Sequence, residues 1–182
     1  MSYFFKKRKL SKATDDIPVF SLNDYKGYAK VTSVYDGDTF KACITLDGKI
    51  RKFIFRTLGY DSPEMKPPLN TPSRDEHIKQ ARFSRRKFMD FMGFEEYYPY
   101  KLWNPFICNC GVNGWVWIEC GKNDKYGRTL VTVYRNKWNT KSVNQRMIES
   151  GCVNVYDGGT KNKFDFKTAQ TLPCTEKMVS SI

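Results

Sequence analysis

Asp47-Gly48 is the feature that most narrows what this chain can fold into. Both residues tolerate positive φ, as a two-residue hairpin turn demands, so the pair predicts a chain reversal with a strand on either side. The flanking residues agree. Thr39 to Thr45 alternates through Phe40, Ala42 and Ile44, and Lys49 to Leu58 returns as the partner, with Ile54 between Phe53 and Phe55. Upstream, beyond Gly27, Ala29, Val31 and Ser33 interleave with Lys30, Thr32 and Val34 and read as a third strand of the same kind. Three successive strands on short turns make a meander, the start of a small barrel or open sheet.

After a loop from Pro63 to Ser73, Ser73-x-x-Glu76 has the form of a capping box, and helical spacing follows. Ile78, Ala81, Phe88, Met89 and Met92 share one broad face that Arg85 interrupts, with Gly93 as the stop and His77 as a surface residue in the first turn. Trp115 to Cys120 and Thr129 to Tyr134 read as strands around a polar turn at Asn123 to Gly127. Val143 to Ser150 reads as a short helix ended by Gly151, and another short helix is compatible with Phe164 to Gln170. Residues 94–114 are aromatic and irregular, either covering part of the core or forming a long loop. The expected fold class is α+β: a five-stranded OB-type Greek-key barrel with two to three packed helices, a frequent nucleic-acid platform. The 182 residues suit one domain. It is expected over 23–160, between a basic, flexible tail at 1–22 and a C-terminal tail at 161–182.

Charge and composition narrow the chemistry. Lys and Arg number 31 against 19 Asp and Glu, a net charge of +12 that favours a polyanionic partner, nucleic acid first. A single histidine, His77, removes His-rich zinc sites and leaves catalysis to carboxylates, arginines, hydroxyls, cysteines or a hard metal ion. None of the six cysteines forms a C-x2-C pair, although Cys108, Cys110 and Cys120 are spaced to offer soft-metal ligands as well as to be ordinary strand and loop residues. Without an apolar leader after Met1-Ser2-Tyr3-Phe4-Phe5, or a run of about 18 apolar residues, the chain is expected to be intracellular with reduced thiols and no membrane partner. Lys6-Lys7-Arg8-Lys9 fits a nuclear address, a nucleic-acid arm or a solvated tail.

Three segments stand out. Asp36-Gly37-Asp38-Thr39 projects two carboxylates from a tight turn; taken alone, it reads first as an ordinary β-turn. Arg56-x4-Asp61-Ser62-Pro63-Glu64 adds acids from a second segment, as a hard cation needs, and places Arg56 five residues before Asp61 on the same strand; a surface salt bridge and a loop start explain it as well. Asp124-Lys125-Tyr126-Gly127-Arg128 offers a guanidinium matched to phosphate oxygens, or simply a hairpin.

Together, in order over about residues 28–157 and with Asn144…Gly151 closing the series, these segments resemble the staphylococcal nuclease (thermonuclease) family. That pattern is Asp-Gly-Asp-Thr, Arg-x4-Asp-Thr-Pro-Glu, Asp-Lys-Tyr-Gly-Arg and Asn-x6-Gly. The resemblance implies a calcium-dependent nuclease that hydrolyses phosphodiester bonds of DNA and RNA and leaves 3′-phosphate ends. It implies Asp38 and Asp61 as direct Ca²⁺ ligands, with the Ser62 carbonyl where the family usually has Thr, and Asp36 and Thr39 as their polar neighbours. Glu64 corresponds to the residue that orients or deprotonates the attacking water, and Arg56 and Arg128 to the phosphate-binding arginines. Lys125, Tyr126 and, less directly aligned, Tyr156 correspond to nucleotide-binding residues. The family's long third helix is not evident in the sequence, and the 94–114 stretch exceeds the family norm. Two other readings compete: a non-catalytic nucleic-acid-binding module of the same fold, and an interaction domain whose basic face and exposed aromatics take an acidic partner. Degenerate relatives of the first kind lose acids or arginines, whereas Asp38, Asp61, Glu64, Arg56 and Arg128 are all present here.

Overall fold

In a computed structural model, residues 3–94 and 114–156 are described. The expectations for Cys108 and Cys110, for the 94–114 aromatic stretch beyond Phe94, and for the helix near Phe164 fall outside them. Helix α1 (Tyr3–Leu10) precedes strands β1 (Lys26–Val34), β2 (Thr39–Leu46), β3 (Lys49–Thr57) and the short β4 (Tyr60–Asp61). Helix α2 (Arg74–Met92), strands β5 (Gly114–Asn123) and β6 (Thr129–Tyr134), helix α3 (Val143–Glu149) and the short β7 (Asn154–Val155) follow.

The predicted hairpin forms at Asp47 and Gly48, with φ of 51° and 70°, and it sets a register of eight residue pairs from Thr39↔Arg56 to Leu46↔Lys49. The meander β1–β2–β3 becomes a closed barrel in the order β1-β2-β3-β6-β5. Antiparallel β5–β6 and β1–β5 pairs and a short parallel β3–β6 pair, Phe55↔Thr129 to Thr57↔Val131, complete the ring. Period-2 alternation points Ala29, Val31, Phe40, Ala42, Ile44, Phe55, Val116, Ile118, Val131 and Val133 inward, all buried. Phe88, Met89 and Met92 of α2 plug this core, and Phe88 packs on Phe40 with ring centroids 5.9 Å apart.

Four details differ from expectation. Ser73 does not build a capping box: it sits in the left-handed region at φ 51°, its side chain caps nothing, and its carbonyl takes the Glu76 N–H at 2.9 Å instead. The core face of α2 carries Ser84 as well as the apolar residues, because that side lies against the Asp36–Asp38 turn, while Ile78 is only half-buried. His77 is half-buried and partnered rather than a plain surface residue. Finally, Asp61 does not continue the strand of Arg56. Leu58 leaves β3, Gly59 turns at φ 93°, and Asp61 returns on β4, paired with Asn154 of β7.

Asn144 locks this departure in place. Its buried side chain accepts from the Val133 N–H at 2.9 Å and donates to the carbonyls of Leu58 at 2.9 Å and Val131 at 3.0 Å. One amide thereby joins α3, β6 and the end of β3.

Candidate active site

The first acidic turn is built from inside. Asp36 Oδ1 accepts from the N–H groups of Asp38 at 3.0 Å and Thr39 at 2.7 Å, which closes the turn. Buried Tyr60 donates its hydroxyl to the Gly37 carbonyl at 2.8 Å, and Thr57 N–H donates to the Asp38 carbonyl at 2.8 Å. Gly37 is required by close approach: a Cβ there would lie 2.2 Å from Ser84 Oγ and 2.9 Å from Ser62 Cβ. The turn is thus clamped between α2, the end of β3 and the chain leaving β4.

That clamp brings Asp36, Asp38, Thr39, Arg56, Asp61 and Ser62 together. Asp38 Oδ1 accepts from Arg56 Nη1 at 2.9 Å and Thr39 Oγ1 at 2.8 Å, and Asp38 Oδ2 accepts from Ser62 N–H at 2.7 Å. Arg56 Nη2 forms an ion pair with Asp61 Oδ1 that is not an aligned hydrogen bond. One guanidinium therefore bridges carboxylates from two separate segments, with the side chains of Arg56, Asp38 and Asp61 only 12%, 3% and 12% exposed. Burial first, and then the Asp38 charge, push the Asp36 carboxyl up to about 7 against the two backbone bonds it accepts.

Arg128 immediately precedes the neighbouring strand, β6. Thr129 pairs with buried Phe55, so Arg128, the residue before Thr129, is the chain neighbour of a residue paired with the neighbour of Arg56. Asp124 holds the Arg128 guanidinium, with Nε at 2.7 Å and Nη2 at 2.6 Å from Oδ2, while Asp124 Oδ1 accepts the N–H groups of Tyr126 and Arg128 at 2.9 Å each. Partial burial works to raise the Asp124 carboxyl, but the Arg128 and Tyr126 backbone bonds and the guanidinium outweigh it and hold the group below the usual range. Tyr126, 71% exposed, lies under Lys125 Nζ at 5.1 Å and the Arg128 guanidinium carbon at 5.3 Å. Glu64 is exposed on the loop after β4 and engaged with neighbours. Tyr156 follows β7 and donates its N–H to the Gly59 carbonyl at 3.0 Å, which sets it beside the strand that carries Asp61. The site also depends on residues that the sequence motifs did not single out as functional: Tyr60, Thr57, Ser84 and Asp124. Only Asp124 had a local signal, its place in the Asp-Lys-Tyr-Gly-Arg run.

The family described as "Staphylococcal nuclease homologue" matches residues 105–178, which take in β5, β6, α3 and Arg128 and leave Asp36 to Glu64 outside. A curated protein from Talaromyces marneffei named "Probable endonuclease lcl3" is 26% identical over 185 residues, covering 91% of this chain. Over residues 105–178 the chain is similar to staphylococcal nuclease homologues. It spans 50% of the length of that relative.

The donors of this site fit a hard cation better than a soft one. They are oxygens only: the Asp38 and Asp61 carboxylates and the Thr39 and Ser62 hydroxyls. Ser62 Oγ is buried without a hydrogen-bond partner among the described residues. Among those residues no group of three His, Cys, Asp or Glu side chains is poised to hold a metal, so carbonyls, water and ligand oxygens would complete a coordination sphere here. No helix among the described residues is long and apolar enough to cross a membrane.

Proposed function

We propose that this chain is a calcium-dependent nuclease, a metal-dependent phosphodiesterase that hydrolyses DNA and RNA and leaves 3′-phosphate ends. One observation carries the reading: Asp38 and Asp61, from separate segments, meet on the guanidinium of Arg56, while Arg128 enters the adjacent strand β6 beside Thr129, the partner of Phe55. The similarity to a protein named as a probable endonuclease supports it.

Each residue then has a task. A calcium ion held by Asp38 and Asp61, with the Ser62 carbonyl and water, would act as a Lewis acid on a non-bridging oxygen of the diester. Arg56 and Arg128 present planar N–H forks to the phosphate and stabilise the charge that grows on pentacoordinate phosphorus. Glu64 takes a proton from the attacking water as the new P–O bond forms; the bond to the 5′-oxygen breaks in line, and that oxygen leaves as a hydroxyl once protonated. The phosphate stays on the 3′ side. Lys125, Tyr126 and Tyr156 line the nucleotide, with the exposed Tyr126 ring free to meet a base or sugar. Contacts to phosphate carry no sequence information, which accounts for cleavage of DNA and RNA alike.

The test is cleavage of plasmid DNA and of a defined RNA in calcium and in chelator, with end-group analysis. Calcium-dependent products ending in 3′-phosphate are expected. Binding without cleavage under all metal conditions would overturn the enzyme and leave a nucleic-acid-binding module of the same fold.

A further inference from the structure

The outer face of β1 and β5 carries large aromatic side chains that the catalytic reading does not use. In the closed order β1-β2-β3-β6-β5, these two strands are the ones that do not neighbour β3, so this face lies across the barrel from Arg56. Trp115 and Trp117 project outward on β5 between the buried Val116 and Ile118, with Trp115 60% exposed. Antiparallel pairing sets Lys30 opposite Trp115 and Tyr28 opposite Trp117. The Tyr28 and Trp117 rings meet edge to face, 5.1 Å apart at 82°, so Trp117 is braced while Trp115 keeps an open ring. Beyond β6, Lys137 Nζ lies 5.5 Å from the Trp117 ring and 5.4 Å from the Trp138 ring. Trp138 is 82% exposed, and its backbone N–H donates to Asn136 Oδ1 at 3.0 Å.

A contiguous exposed aromatic patch rimmed by polar residues marks an interaction surface. Stacking platforms for single-stranded nucleic acid have this composition: rings that take bases of any identity, and cations that track the backbone. Trp115 and Trp117 are two residues apart on one strand, about 7 Å, so the open and the braced ring present separate surfaces. The charge argues against a second copy of this chain as the occupant, because two faces bearing Lys30 and Lys137 on a chain of net charge +12 repel one another. A polyanion with exposed rings gains from both features.

We propose that the face formed by Tyr28, Lys30, Trp115, Trp117, Lys137 and Trp138 is a second binding surface for single-stranded nucleic acid, separate from the catalytic pocket. It would hold a long strand while the pocket acts elsewhere on it, and in this it rests on the nuclease reading.

The experiment uses the full chain and fluorescein-labelled (dT)12 in chelator, where binding is read without cleavage. The variants are Trp115→Ala and Trp138→Ala, singly and together, with Arg56→Ala as the pocket control and circular dichroism as the check of fold. Each tryptophan substitution is expected to weaken binding about tenfold, and Lys137→Ala to flatten the salt dependence. The double variant should raise KM for a long single-stranded substrate and leave kcat and the cleavage of a trinucleotide unchanged. Unchanged (dT)12 affinity in the folded double variant would overturn the proposal. So would equal affinity for poly-glutamate lost in the same variants, which would assign the face to an acidic protein, or a dimer that the double variant dissolves. Failure of the nuclease reading would show separately, as absence of trinucleotide cleavage in calcium with (dT)12 binding still sensitive to both tryptophans.

Discussion

Replacing Arg56 with alanine should separate the structural and catalytic parts of the pocket. The substitution takes the guanidinium from two carboxylates whose side chains are 3% and 12% exposed. Breaking a buried ion pair on one side costs about 3–5 kcal/mol, since the remaining charge stays buried. Asp38 keeps the Ser62 N–H at 2.7 Å and the Thr39 hydroxyl at 2.8 Å, so the loss falls near the lower end, about 3 kcal/mol. For a chain of this size that lowers the melting temperature by roughly 6–12 °C in chelator. Calcium should then restore more stability to the variant than it adds to the wild type, because the ion supplies the positive charge that the arginine no longer does. Cleavage should nevertheless stay about 10² to 10³ below wild type at saturating calcium, as a charge-stabilising donor is missing. Differential scanning fluorimetry across a calcium titration, run beside a cleavage assay, reads both effects. If the variant melts with the wild type in chelator, or calcium shifts the two proteins equally, Arg56 does not hold the two acids together in the way argued.

Glu64→Gln should lower kcat about 10² to 10⁴ with the fold retained by circular dichroism, since Glu64 is exposed; a folded variant of near-wild-type rate would remove Glu64 from catalysis. Asn144→Ala should cost about 2–5 kcal/mol in denaturant unfolding, because the Val133 N–H and the Leu58 carbonyl lose a buried partner while the Val131 carbonyl keeps the Leu58 N–H at 2.9 Å; a loss below about 1 kcal/mol would show that water replaces the amide. The Asp124 carboxyl is held below its usual range, so its bonds to Arg128 stabilise the fold above the unfolded-state value near about 4. That contribution disappears as pH falls through the lower, folded value, and Asp124→Asn should flatten acid unfolding only in that window, as followed by tryptophan fluorescence. Burial pushes the Cys120 thiol up to about 12, leaving a thiolate fraction on the order of 10⁻⁴ at pH 8. Peptide mapping after brief iodoacetamide treatment should find half-buried Cys43 modified well before Cys120, and equal labelling would mean that the barrel opens there.

Local chemistry carried much of this protein in its sequence. Asp47-Gly48 and the alternation on both sides of it were enough for β2 and β3, because turn dihedrals and strand period are properties of neighbouring residues. The charge runs around Asp38, Asp61 and Arg128 were visible for the same reason. Tertiary structure decided what contacts at long range create. It replaced the expected capping box at Ser73 with a left-handed residue, turned Asp61 away from the strand of Arg56 at Gly59, and set Arg56 between two acids. It also used Asn144 to join Leu58, 86 residues away in sequence, to β6, and fitted Gly37 against Ser84. No local pattern encodes such pairings: a buried amide or a missing Cβ acquires its meaning only when packing closes the barrel and water can no longer satisfy the groups left facing one another.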